Sequence, residues 1–242
     1  MIKRIRIFAW LSGILFCTKS IAQTEGLGSW SIINTRYAFH KNWTIWSEMQ
    51  TRSNRFYDHF FYHEIKGGLQ YSFSKGANFV LGTGRYRTYT TGGTFKSPIT
   101  ADELRLWEQF TLTNNLSRVK LEHRYRIEQR WFTTGFRNRF RYRISLAIPV
   151  GRPKLQPHTF FATAFNEVFI TDKKPHFERN RSFGGIGYQF SEVISVQTGY
   201  CNQYDYRSNG SSVTNHFLQT TLFFNLKKQD NNGREYHPTI VD

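Results

Sequence analysis

Polar and apolar residues alternate one by one along most of this chain. The pattern is clearest between residues 118 and 148. In its first half one parity carries Arg118, Lys120, Glu122, Arg124, Arg126, Glu128 and Arg130, and the other carries Val119, Leu121, Tyr125, Ile127 and Trp131. In its second half Arg137, Arg139, Arg141 and Arg143 alternate with Phe136, Phe140, Tyr142 and Ile144. A period of two is the side-chain period of a β-strand. The stretch therefore predicts two strands joined at residues 133–135, with one apolar face and one charged face. A soluble sheet would bury the apolar face against a second layer. An outer-membrane barrel would give that face to lipid and turn the charges into its lumen.

The same reading over the rest of the chain predicts strands at 28–40, 43–53, 60–73, 78–89, 103–116, 118–132, 136–148, 159–170, 181–190, 194–204 and 216–226. Many approach or exceed the ~9–11 residues that a tilted strand needs to cross a bilayer. The connections are expected to alternate in length. Those at 40–42, 74–77, 117 and 191–192 read as tight, with 151–157 the exception on that side. Those at 55–59, 90–101, 172–180 and 206–215 read as long and polar. Short turns at one end and long loops at the other favour an all-β, antiparallel transmembrane barrel of outer-membrane type, with about ten to twelve strands. A soluble sandwich or lipocalin-like barrel explains the strands but not that alternation. Bacterial single-chain barrels have even strand counts, which the segments read here do not satisfy.

Residues 1–22 read as a secretory signal. Lys3, Arg4 and Arg6 precede a short apolar run, and Ser20-Ile21-Ala22 offers a small-x-small cleavage site before Gln23. No later run is long and apolar enough for a spanning helix. Residues 23–226 then form the barrel and 227–242 a polar tail. The formal charge is +16, of which Lys3, Arg4, Arg6 and Lys19 carry four, and aromatic residues make up 17% of the chain. Such a basic, aromatic chain would suggest nucleic acid in the cytosol; export argues against that partner, and no recognition motif for it is present. Cys201 is the one cysteine after the signal, so no intramolecular disulfide can form.

The segments WEQFTLTNNL, VKLEHRYRIEQRWF, FRNRFRYRISLAIPV, FNEVFI, ERNRSFGGIGYQF and LQTTLFFNL resemble an uncharacterised group of outer-membrane proteins known as domain of unknown function 2490. The likeness runs from about residue 28 to residue 226 and is most specific at His123–Trp131. It implies an outer-membrane barrel in contact with lipid. It implies no activity and carries over no catalytic residue.

Candidate chemistry is sparse. Tyr206-Arg207-Ser208-Asn209-Gly210 is similar to the histidine-x-serine-asparagine-glycine run of outer-membrane phospholipase A. Tyr206 stands where the base belongs, and a serine hydroxyl is a weak nucleophile without one. His216 is the nearest histidine in sequence. A lipid-modifying barrel enzyme is therefore the alternative reading, and an ordinary turn is the simpler one. His59 and His63 would share a strand face with Glu64 on the other, too few converging ligands for zinc, and no cofactor is indicated. Small residues at Gly184, Gly185 and Gly187 are expected to let a bulky lumen side chain pass. Trp30, Trp43, Trp46 and Trp131 read as girdle residues at the lipid headgroups. The charged face of 118–143 is expected to line the lumen, with Glu48, Glu108 and Glu167 contributing from other strands. It would either brace the barrel or make a weak, anion-preferring pore.

Overall fold

The computed structural model describes residues 26–207 and 209–228. They form eleven strands: β1 (Leu27–Ala38), β2 (Trp43–Arg55), β3 (Asp58–Ser74), β4 (Ala77–Tyr89), β5 (Ile99–Leu116), β6 (Val119–Phe132), β7 (Gly135–Pro149), β8 (Thr159–Thr171), β9 (Phe177–Gln189), β10 (Ile194–Tyr206) and β11 (Ser212–Lys227). Each strand pairs antiparallel with its neighbour in sequence, and β1 closes on β11. The predicted signal and cleavage site, Ser208 and residues 229–242 of the tail lie outside the described residues.

The purely antiparallel expectation needs one correction. In an up-and-down meander with an odd number of strands, the first and last run the same way. The closing seam is accordingly parallel, from Leu27 opposite His216 to Ala38 opposite Lys227. Parallel pairing is slightly weaker per residue, but it removes both edges that an open sheet would expose. The two seam strands therefore end at the same rim, and the described chain enters β1 at one rim and leaves β11 at the other.

The predicted alternation of loop length is also corrected. The segments at 90–101, 172–180 and 206–215 give up part of their length to strand, since β5 begins at Ile99, β9 at Phe177 and β11 at Ser212. The connections that remain at that rim are 56–57, 90–98, 133–134, 172–176 and 207–211, and 150–158 at the other rim is as long as any of them. Polarity was a poor sign of loop here because polar side chains pair across the extended strands. Asp102 takes both Arg85 (2.7 Å) and Arg87 (3.2 Å), Arg179 pairs with Asp205, and Asn215 donates to Asp205. Such cross-strand pairs hold a ladder as apolar pairs do.

The two faces of the wall differ sharply. Among the described residues, buried polar and charged side chains outnumber buried apolar ones more than two to one. The outward positions include Ile45, Met49, Ile65, Leu104, Tyr125, Ile127, Phe140 and Ile144, all exposed. The apolar groups that do point inward form two clusters. One joins Trp46, Val80, Tyr86 and Trp107. The other joins Trp30, Ile32, Phe161, Phe165, Phe183, Phe217 and neighbours. Both are seated on glycine: a Cβ on Gly82 would collide with the Trp107 ring, and one on Gly187 with the Phe161 ring. Gly82→Leu is therefore expected to displace Trp107 and destabilise the barrel by about 1–3 kcal/mol, read as a lower urea midpoint of unfolding in detergent.

Candidate functional site

Strands β6 and β7 pair so that Arg124 lies opposite Arg143, Arg126 opposite Arg141, and Arg130 opposite Arg137. Like charges set directly opposite destabilise a sheet. Carboxylates from other strands come between them. Glu167 on β8 sits beside Arg143 and also faces Arg181 on β9. It accepts from Arg124 (2.7 Å), Arg141 (2.9 Å) and Arg143 (2.8 Å), with Arg181 at 3.5 Å. Glu128 lies opposite Arg139 and accepts from it (2.8 Å) and from Arg141 (2.6 Å), with Arg126 at 3.5 Å. Glu103 holds Arg105 at 2.6 Å and also Arg130. Glu178 bridges Arg130 (3.1 Å) and Arg139 (2.8 Å). On the far wall Lys66 joins Glu48 (2.6 Å) and Glu64 (2.8 Å). The result is a lattice in which most carboxylates serve two or more cations. Aromatic faces support it, with Arg52 3.7 Å from the Trp30 ring, Arg105 3.6 Å from Tyr86 and Arg143 4.0 Å from Phe165.

The remaining members of the predicted set fall at its margins. Lys120 is half-buried near Glu122, which is 1% exposed and has neither carboxylate oxygen hydrogen-bonded among the described residues. Arg137 is half-buried with its guanidinium 4.8 Å from the Phe132 ring. Arg118 is not in the interior. It sits in the β5–β6 turn and donates to the backbone carbonyls of Pro149 (2.8 Å) and Arg152 (2.9 Å). Ser117 takes a positive φ of 55° just before it, so the strand alternation does not reach Arg118.

A cavity of about 940 Å³ opens at the rim formed by Thr90, Thr91, Lys173, Lys174, Pro175, Arg207 and Asn209 and runs down to the lattice. Twelve bases and four acids line it, which leaves its walls strongly positive. It ends on Trp30, Lys66, Arg105 and Arg141; Trp46, Trp107, Phe165 and Phe183 do not line it and fill the barrel elsewhere. The vestibule is thus a blind one. Asp172, at the rim, accepts from the Asn138 amide (3.0 Å), and that hydrogen bond holds its carboxyl below the usual range.

Other candidates are redistributed. Glu108 does not join the interior: it faces outward between Leu81 and Ile127 and accepts from Gln129 (3.1 Å). Trp30 and Trp46 are not girdle residues but inward-facing and buried, and Trp30 donates to Gln50 (2.8 Å). Trp107, absent from the sequence reading, is fully buried beside Trp46. Trp43 and Trp131 are exposed on the outer wall. His63 packs against Tyr89 and Phe95, while Glu64 faces Lys66. No group of three potential metal ligands occurs among the described residues. His216 is engaged by the Tyr200 hydroxyl (2.5 Å); Ser208 lies outside the described residues.

A family model described as "Protein of unknown function (DUF2490)" matches residues 27–214. Neither the curated proteins nor the solved structures contain a match.

Proposed function

Since the chain belongs to the DUF2490 family, whose function is unknown, its role has to be argued from the barrel itself, and we propose that it is an exported outer-membrane β-barrel whose interior is braced by the arginine–glutamate lattice. The observation that carries this reading is the inverted wall, apolar and exposed outside, charged and buried inside. A water-soluble barrel gains stability by burying its apolar face; this one would leave that face in water. Lipid supplies the missing partner, and the described strands, of 12 to 18 residues, are long enough to cross it at a tilt. The exposed pairs Trp43–Tyr71 and Trp131–Phe136 suit headgroup depth. Loop length lends no support, because its alternation is lost in the fold.

Bracing is favoured over transport. Arg139, Arg143, Glu128 and Glu167 are all at most 2% exposed and pair between neighbouring strands, and Arg130 reaches from β6 to Glu178 on β9, which packs side chains into the lumen instead of leaving a ring around open water. The protein is expected to fractionate with outer membranes, to begin at Gln23, and to change gel mobility on boiling. Ile127→Arg places a charge on the outer wall and is expected to cost about 2–4 kcal/mol and to block assembly. Recovery of the unmutated protein in the soluble periplasmic fraction overturns the reading.

A further inference from the structure

We propose that the vestibule binds an acidic saccharide, a hydroxyl-rich body bearing at least two phosphate or carboxylate groups. The lattice consumes only part of the positive charge. Arg137, Lys173, Lys174 and Arg207 all line the cavity and have no ion pair among the described residues. They come from β7, the β8–β9 connection and the β10–β11 connection, which are contiguous around the barrel. Arg137 is held by the Phe132 ring with its Nε buried and unpartnered. One side of the mouth is therefore a bank of uncommitted cations.

The opposite side is chemically different. Thr88, Thr90, Thr91 and Thr100 line it from β4, β5 and the connection between them. Thr90 and Thr100 donate their hydroxyl protons to Pro98 O (2.9 Å) and Thr88 O (3.1 Å), which leaves their oxygens as acceptors for a ligand's hydroxyls. Between the two sides lie the Phe132 and Tyr62 rings, which carry the guanidinium groups of Arg130 and Arg137 and of Arg52 respectively. Anion-pairing groups on one side and hydroxyl acceptors on the other match an acidic sugar better than a bare inorganic anion. Size agrees: about 940 Å³ lies near the upper end of the ~300–1,000 Å³ typical of small-molecule sites. The blind end admits the end of a ligand and not a threaded polymer.

The same chemistry is carried by soluble sugar phosphates and by the phosphorylated sugar headgroup of a glycolipid. The proposal depends on the folded barrel and not on its location, so a soluble protein would refute the membrane reading and leave this one standing. The test is calorimetric titration of the full chain in detergent micelles. Fructose 1,6-bisphosphate is expected to bind saturably and at least tenfold more tightly than inorganic phosphate, and fructose not to bind. Lys173→Glu combined with Lys174→Glu, both on a rim connection, is expected to weaken the bisphosphate at least tenfold while boiled and unboiled mobilities stay as in the parent. Lys173→Arg with Lys174→Arg is expected to retain binding. Adding lipid A to the micelles distinguishes the sources: competition with the bisphosphate supports the lipid-borne ligand, and its absence supports the soluble one. No saturable binding of the bisphosphate, equal affinity for inorganic phosphate, or unchanged affinity in the charge-reversed variant overturns the proposal.

Discussion

Glu167→Gln is expected to destabilise the barrel by about 3–5 kcal/mol, the range for removing one partner of a buried ion pair. The carboxylate is fully buried and touches Arg124, Arg141, Arg143 and Arg181. Arg141 also meets Glu128 at 2.6 Å. Neutralising Glu167 therefore leaves several guanidinium groups crowded together with less to offset them, and their desolvation is no longer compensated. Glutamine keeps the volume, so a loss reports charge and not a cavity. The matched control is Glu192→Gln, whose pair with Lys227 lies at the surface with both side chains more than half exposed; it is expected to change stability by only ~0–1 kcal/mol. Urea unfolding of both variants in the same detergent decides. Equal midpoints would mean that the lattice does not hold the barrel together.

Which parts of this architecture were legible in the sequence depended on parity. Strict alternation at 119–131 and 136–144 located two strands and separated two faces without further information. Trp46 was assigned to the outer wall because it lies toward a strand end, yet it shares parity with Glu48, Gln50 and Arg52, and all four point inward. Trp107 falls on the parity of Glu103 and Arg105 and is likewise internal, whereas Glu108 shares the parity of Leu104 and Leu106 and is external. In each case the side-chain period was the better guide than residue type or distance from a turn. Other features were not available from any local pattern. Glu167, expected in the lumen, reaches the hairpin's arginines from β8, which pairs directly with β7, whereas Glu178 reaches Arg130 and Arg139 from β9, two strands beyond β7. The bulge between Phe169 and Ile170, which shifts the pairing between β8 and β9 at Glu178, breaks the alternation that would have assigned that residue. The parallel seam is a consequence of strand count and has no signature in the residues that form it.

In a planar bilayer the purified protein is expected to show little or no steady conductance. An open channel needs a continuous water-filled lumen, and here the vestibule ends on a lattice of paired side chains. The Trp46 and Trp107 rings, 6.1 Å apart, fill the interior against Gly82. Phe165 and Phe183 stack at 5.2 Å across β8 and β9. None of these rings lines the cavity. Trp107→Ala combined with Trp46→Ala removes two large side chains from one cluster and leaves the glutamate-linked arginines in place. That variant is expected to conduct at least tenfold more than its parent. Its current should favour anions, because the surface uncovered is positive and an arginine-rich constriction repels cations. Adding Arg126→Gln, which removes the guanidinium lying 5.2 Å from the Trp107 ring, should reduce that preference without closing the path. A large steady conductance in the unmutated protein would show that the lattice leaves an open route and would restore the pore as the leading reading. A cation-selective current in the opened variant would mean that the arginines do not line the route the ions take.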